Sequence, residues 1–190
     1  MEPGSDGELV AALRRGDPAA FDAAYARYRA PVYGFLLRLA RRPFLADDLL
    51  QETWLKLARH ATRLRADTNL RAWLFTVARN QFRSYRRWAV LDADRLREVG
   101  LGGRAAPPSP FEDAAATETE RRLEGALAAL PVKYREALLL VAVEGLGQEE
   151  VAPMLGLSPE NLRQRLARGR AMLRERLGAP AAAAAASGGG

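Results

Sequence analysis

Ten residues divide this chain. Leu-Gly-Gly-Arg-Ala-Ala-Pro-Pro-Ser-Pro at 101–110 holds two glycines and three prolines. No helix or central strand runs through such a stretch, because proline lacks the backbone donor and glycine resists being ordered. On either side, apolar residues recur at helical spacing. The expectation is all-α: two small helical domains joined by a flexible linker. The boundaries read as 6–90, a linker at 91–119, 120–177, and a disordered Ala/Gly tail at 178–190 that has nothing to bury. With 190 residues, 48% of them hydrophobic, the chain can fill both cores. The sequence contains no internal repeat.

In the first half, Leu9, Val10 and Leu13 predict a helix over about 6–15, with Gly16 just past its end. Asp17 and Pro18 read as the N-cap and first residue of a second helix. Its core face carries Phe21, Tyr25, Tyr28, Val32, Phe35, Leu36 and Leu39, and Pro31 inside it predicts a kink or a joint. Arg41-Arg42-Pro43 ends it. A third helix spans about 45–61, with Leu49, Leu50, Leu55 and Leu57 as core candidates. Asp47, Asp48, Gln51 and Glu52 form an acidic, polar patch on its first turns, and Trp54 and Lys56 lie further along. The aspartates suit the helix dipole; the same patch also suits a basic partner helix.

A polar connection at 62–69 leads into Thr-Asn-Leu-Arg-Ala-Trp-Leu-Phe-Thr-Val-Ala-Arg-Asn-Gln-Phe-Arg-Ser-Tyr-Arg-Arg-Trp at 68–88. At about 100° per residue, Leu70, Trp73, Leu74, Val77, Tyr85 and Trp88 fall on one face, with Ala78 at its edge. Arg79, Arg83 and Arg86 fall opposite, with Thr76, Asn80 and Arg87 beside them. Like charges at this spacing cost about 0.2–0.5 kcal/mol per pair. The face is either simply solvated or meets a polyanion.

Composition narrows the function. The net charge is +6, and 27 of the 29 cationic residues are arginine, which suits bidentate contacts to phosphates and base edges. There is no cysteine, so disulfides and thiolate chemistry are excluded, and His60, the only histidine, cannot build a triad or a multi-histidine metal site. No cofactor is implied. Asp47 and Asp48 point different ways from one helical turn and lack further ligands, so no catalytic constellation exists and no enzyme is expected. No apolar run approaches the roughly 18 residues of a membrane span. Met-Glu-Pro-Gly-Ser-Asp-Gly-Glu at 1–8 is acidic, without a signal-peptide apolar region. A cytoplasmic location and no membrane partner are expected.

In the second half, Leu123, Leu127 and Leu130 mark one helix, and Pro131 begins another through Arg135 and Leu138-Leu139-Leu140 to about Val143. Gly145 and Gly147 bracket a turn, and 148–155 reads as a short helix. After Gly156-Leu157, Ser158 and Pro159 cap a last helix running to about 177. Short helix, glycine turn, longer helix is a helix-turn-helix pattern. On the last helix Leu162, Leu166, Gly169 and Leu173 share a face, and Gln164, Ala167 and Ala171 point away from it. Glu160, Asn161, Arg163 and Arg168 flank that outward side, a set able to read base edges in a major groove. Any amphipathic helical hairpin would share the pattern.

Taken together, the two halves resemble the sigma-70 family of RNA polymerase sigma factors, in its extracytoplasmic-function (ECF) group. Gly-Asp-Pro-Ala-Ala-Phe-Asp at 16–22, Ala-Asp-Asp-Leu-Leu-Gln-Glu-Thr-Trp-Leu at 46–55 and Arg-Ala-Trp-Leu-Phe-Thr-Val-Ala-Arg-Asn at 71–80 resemble region 2. Leu-Pro-Val-Lys-Tyr-Arg-Glu-Ala-Leu-Leu-Leu at 130–140, Glu-Gly-Leu-Gly-Gln-Glu-Glu-Val-Ala at 144–152 and Leu-Gly-Leu-Ser at 155–158 resemble region 4. The resemblance covers roughly 6–88 and 120–177. It implies a protein that binds bacterial core RNA polymerase, chiefly through Asp47, Asp48, Gln51, Glu52 and Trp54. It implies minus-ten recognition and melting by region 2, with Asn80 at the position that reads a base flipped from the non-template strand. Extrusion costs about a few kcal/mol. The connection at 62–69 matches the loop that walls that pocket. Arg79, Arg83, Arg86 and Arg87 would then hold phosphates of the single strand. Region 4 would read the minus-thirty-five element through Glu160, Asn161, Arg163, Gln164 and Arg168. Family members are often held inactive by an anti-sigma factor, which the resemblance adds as a partner.

Two departures stand out. Pro153 occupies a position where the family has a helix former, which predicts a kinked helix or a reshaped turn. The last helix opens Ser-Pro-Glu-Asn-Leu-Arg-Gln, where Gly-Thr-Val-Lys-Ser is more usual after the first two positions, which bears on base preference. The alternative reading is a stand-alone helix-turn-helix regulator, for which the residues at 46–55 would have no use.

Overall fold

The computed structural model describes residues 5–98 and 117–178, and the regular structure among them is helical throughout. The chain divides into two compact units, Met1–Ser109 and Pro110–Gly190. Residues 99–116 and 179–190, most of the expected linker and tail, lie outside the described residues. Among the described residues no helix is long and apolar enough to cross a membrane.

The first unit begins with α1 (Asp6–Arg14), whose start is closed reciprocally: the Glu8 amide donates to Ser5 Oγ at 3.4 Å and the Ser5 amide to Glu8 Oε2 at 2.8 Å. In α2 (Pro18–Ala40) the Ala19 amide donates to Asp17 Oδ1 at 2.9 Å, the cap that the Asp-Pro pair predicts. Pro31 lies inside α2 without ending it. The helix stops at Arg41, which takes φ 58° without being glycine, a conformation costing about 1–3 kcal/mol. Then follow α3 (Pro43–His60), a 3₁₀ turn (Ala61–Arg63) and α4 (Leu70–Glu98), which continues beyond the expected domain end at 90.

Helices α2, α3 and α4 pack around Phe35, Leu36, Leu39, Leu57, Leu70, Leu74 and Phe75, with the Phe35 and Phe75 rings edge-on at 5.3 Å. Helix α1 lies on α2, where Asp6 accepts from the Tyr28 hydroxyl at 2.5 and 2.6 Å and from Arg27 Nη1 at 2.7 Å. Burial, and after it the Asp6 carboxylate, pushes the Tyr28 phenol up to about 12.

The second unit starts with α5 (Glu118–Ala128), capped reciprocally by Thr117 and Glu120. After α6 (Val132–Leu138) the chain makes one π turn over Leu139–Val143, and the Glu144 amide reaches back five residues to Leu139 O at 2.8 Å. The sequence pattern predicts an ordinary helix through that run. In α7 (Gln148–Leu155) the Gly147 amide donates to Glu150 at 2.8 Å. Pro153 does not stop this helix. Its ring faces solvent, and the bond it forgoes is to the carbonyl of exposed Glu149, where water can substitute. Gly156 closes α7 at φ 66°. Helix α8 (Pro159–Gly178) starts with the Asn161 amide on Ser158 Oγ at 3.2 Å, as Ser-Pro predicts. It lies against α6 so closely that a Cβ on Gly169 would meet Leu138 Cδ1 at 3.1 Å. Arg165 pairs with buried Glu136 across the same contact at 3.6 Å, over a core of Leu139, Leu140, Leu162 and Leu166.

Candidate nucleic-acid interface

Helix α4 is started by Asn69, whose Oδ1 accepts from the Ala72 amide at 2.9 Å. Its buried stripe is Leu70, Leu74, Phe75, Ala78, Arg79 and Phe82. That is about a quarter turn from the stripe expected from the sequence. Trp73, Val77 and Tyr85 are only partly buried, and Trp88 is 64% exposed. The cause is that α4 carries large apolar side chains on more than one side, and the two phenylalanines take the core. Arg79 is thereby corrected: expected on the outward ladder, it is 3% exposed, inside the unit and closed to a DNA phosphate.

Asn80, Arg83, Ser84 and Arg87, at i, i+3, i+4 and i+7, remain outward and together line a groove of about 330 Å³. It holds two guanidinium groups, one amide and one hydroxyl, and among the described residues no acidic side chain lines it. The guanidinium groups can hold phosphate oxygens, and the amide can both donate to and accept from a base edge. Ser84 was not among the expected site residues; its i+4 spacing from Asn80 was the available signal. Arg86 lies away from the groove, with Cζ 6.0 Å from the centre of the Phe82 ring.

The connection before α4 is ordered by its own side chains. Leu64 is buried, and Arg65 makes a two-pronged pair with Asp67 at 3.0 and 3.1 Å. The hydrogen bonds from Arg65 hold the Asp67 carboxyl below the usual carboxylate range.

On α3, Leu49, Leu50, Thr53, Trp54 and Leu57 face inward, while Asp47, Asp48, Gln51 and Glu52 form one exposed acidic stripe. Trp54 is the second correction. Expected with that surface, it is 6% exposed, wedged against Phe21 and Tyr25 with ring centres 5.9 and 4.9 Å away. Its Nε1–H has no hydrogen-bond partner among the described residues. Trp54 forms part of the inner wall of a groove of about 300 Å³ between α2 and α3, which Tyr25, Arg29, Asp47, Gln51 and Leu55 also line. Leu55, an expected core residue, is on its exposed side.

On α8, Glu160, Asn161, Arg163, Gln164 and Arg168 are all exposed, as expected, and the side opposite is buried through Leu162, Leu166 and Gly169. Glu160 ties this surface together. Its carboxylate accepts from Arg163 Nη2 and, at 3.2 Å, from Arg163 Nε, and from Gln164 Nε2 at 3.4 Å. Those bonds, from Arg163 first, lower the Glu160 pKa. Two candidate base readers are thus held by one acceptor before any DNA arrives. Among the described residues no cluster of three or more His, Asp or Glu side chains could hold a metal.

Comparison with known proteins identifies both halves of the chain. Residues 24–89 match the family model for sigma-70 region 2, and residues 120–173 match that for sigma-70 region 4. The chain is 39% identical to the RNA polymerase sigma factor CarQ of Myxococcus xanthus, over 87% of this chain and 94% of that one. It is 34% identical to the ECF RNA polymerase sigma factor SigM of Mycobacterium tuberculosis, over 92% and 85%. Its fold is similar to the sigma factor RpoE of Bartonella quintana, solved in complex with the anti-sigma factor NepR, with a TM-score of 0.62 and 25% identity over 90% and 92% of the two chains. With both sigma regions present in order, the chain belongs to the sigma-70 family, in its ECF group: it is not an enzyme but an initiation factor that binds core RNA polymerase and directs it to promoters.

Proposed function

We propose a division of labour within that activity. The unit read as 6–90 engages the minus-ten element, and the unit read as 120–177 engages the minus-thirty-five element, with 91–119 spanning between them. The groove on α4 receives the non-template strand as it separates. Asn80 reads a base flipped from the stack, Arg83 and Arg87 hold the flanking phosphates, and Ser84 adds a hydroxyl. The exposed stripe Asp47, Asp48, Gln51 and Glu52 docks on a basic helix of the polymerase. Glu160, Asn161, Arg163, Gln164 and Arg168 enter the major groove upstream. What carries this reading is the convergence of Asn80, Arg83, Ser84 and Arg87 on one groove.

A protein inhibitor belongs to the same reading, because a relative of this fold is bound by an anti-sigma factor. Work on RNA polymerase implies a cytoplasmic location. The test is run-off transcription with core polymerase and a genomic promoter library. Discrete start sites should share two spaced elements. Asn80→Ala should relax preference at the downstream element and Arg163→Ala at the upstream one. Unchanged preference in both variants would refute the residue roles, and the absence of core binding would refute the polymerase stripe.

A further inference from the structure

We infer that Trp88 is a stacking platform for an unpaired base, extending the α4 groove beyond Asn80; the inference rests on the reading of that groove as the path of the melted strand. Trp88 is 64% exposed, whereas Phe75 and Phe82 of the same helix are buried. It lies one turn beyond Ser84 and directly after Arg87, two of the four residues that line the groove. From Asn80 to Trp88 is eight residues, about 12 Å along a helix axis, a span of a few nucleotides. The sequence from Thr68 to Leu91 holds five arginines and no acidic residue, and Asp92, one turn past Trp88, is the first carboxylate, so it is the Asn80 side of the indole that favours a polyanion over an acidic-sided protein. A polyanion alone asks only for arginine. A flat indole beside the guanidinium groups adds a π-face, which an unpaired base can cover and a base stacked within a duplex cannot.

The test uses the full chain assembled with core RNA polymerase. Binding is measured to a fork-junction DNA with a single-stranded non-template overhang and to the fully duplex promoter. Trp88→Ala should weaken fork binding about tenfold, the usual loss for one base–aromatic stack, with duplex binding unchanged. Trp88→Leu should behave like the alanine variant, and Trp88→Phe should retain most of the affinity. An abasic substitution at one overhang position should erase the difference between the parent and the Trp88→Ala variant. The idea fails if Trp88→Ala binds the fork normally while Arg83→Ala binds it weakly. If Arg83→Ala also binds normally, the assignment of α4 to the single strand falls with it. Weakened assembly with core polymerase, at unchanged fork affinity of the assembled complex, would make Trp88 a protein contact and overturn the proposal.

Discussion

Trp54 distinguishes a residue that builds a surface from one that touches a partner. Truncating Trp54→Ala empties the space between Phe21 and Tyr25, where the indole is 6% exposed. Such a truncation costs about 3–5 kcal/mol, against a total of about 5–15 kcal/mol for a domain. Trp54→Phe is a different perturbation. It removes two carbons of burial, roughly 1.6 kcal/mol at about 0.8 per methylene. It also removes the Nε1–H that has no partner, a desolvation penalty of about 1–3 kcal/mol. The two changes oppose each other and should leave the phenylalanine variant within about 1 kcal/mol of the parent. Urea unfolding followed by far-ultraviolet circular dichroism measures both, and titration with labelled core polymerase measures docking. Asp48→Ala and Gln51→Ala should show the converse, unchanged unfolding with weakened docking. If Trp54→Ala unfolds like the parent yet loses polymerase affinity, the burial argument is wrong and Trp54 is itself a contact.

Arg79→Ala should lower thermal stability without altering the salt dependence of DNA binding, whereas Arg83→Ala should leave stability intact and reduce the salt slope by about one. Tyr28 has its pKa raised from about 10 to about 12 in the folded chain, so its contribution is complete below pH 10 and is lost as pH rises through 12. Melting curves between pH 9 and 12 should therefore fall more steeply for the parent than for Tyr28→Phe, and parallel curves would refute this. Gly169→Leu should unfold the second unit at lower temperature, because Leu138 and Tyr134 already stand within 3.4 Å of a Cβ there; an unchanged melt would mean α6 and α8 can separate freely. Pro153→Ala should stabilise that unit by about 2 kcal/mol, about 3 from helix propensity less up to about 1 from the freer unfolded chain.

What was legible from the sequence was chemistry that acts between near neighbours. Asp17-Pro18 and Ser158-Pro159 start helices because a side-chain acceptor and a missing N–H answer needs that exist within one turn. The outward face of α8 was legible for a related reason: Leu162 and Leu166, with Gly169, form the buried leucine spine, opposite a side of polar and small residues. Helix α4 offers no such simplicity, because Trp73, Leu74, Phe75, Val77, Phe82, Tyr85 and Trp88 spread over more than half of its circumference. Which of them sinks is decided by α2 and α3, and Phe35 takes Phe75 edge-on. Once Phe75 and Phe82 are inside, the geometry of the helix draws Arg79 in with them; Trp88 shares the direction of buried Leu70, five turns earlier, but is 64% exposed. The π turn at Leu139–Val143 was hidden likewise, since five aliphatic residues look alike at any helical period. Trp54 was grouped with the polymerase-docking residues by the family resemblance, and its burial was not legible because the rings that cover it, Phe21 and Tyr25, belong to another helix. Arg79 and Trp88 were misplaced because a helix considered alone shows neither which face its neighbours cover nor which of its turns they reach. Asn80, Arg83 and Arg87 were legible because they recur on one side of one helix, a relation that packing can rotate but cannot break, while Ser84, the fourth residue of that groove, was missed.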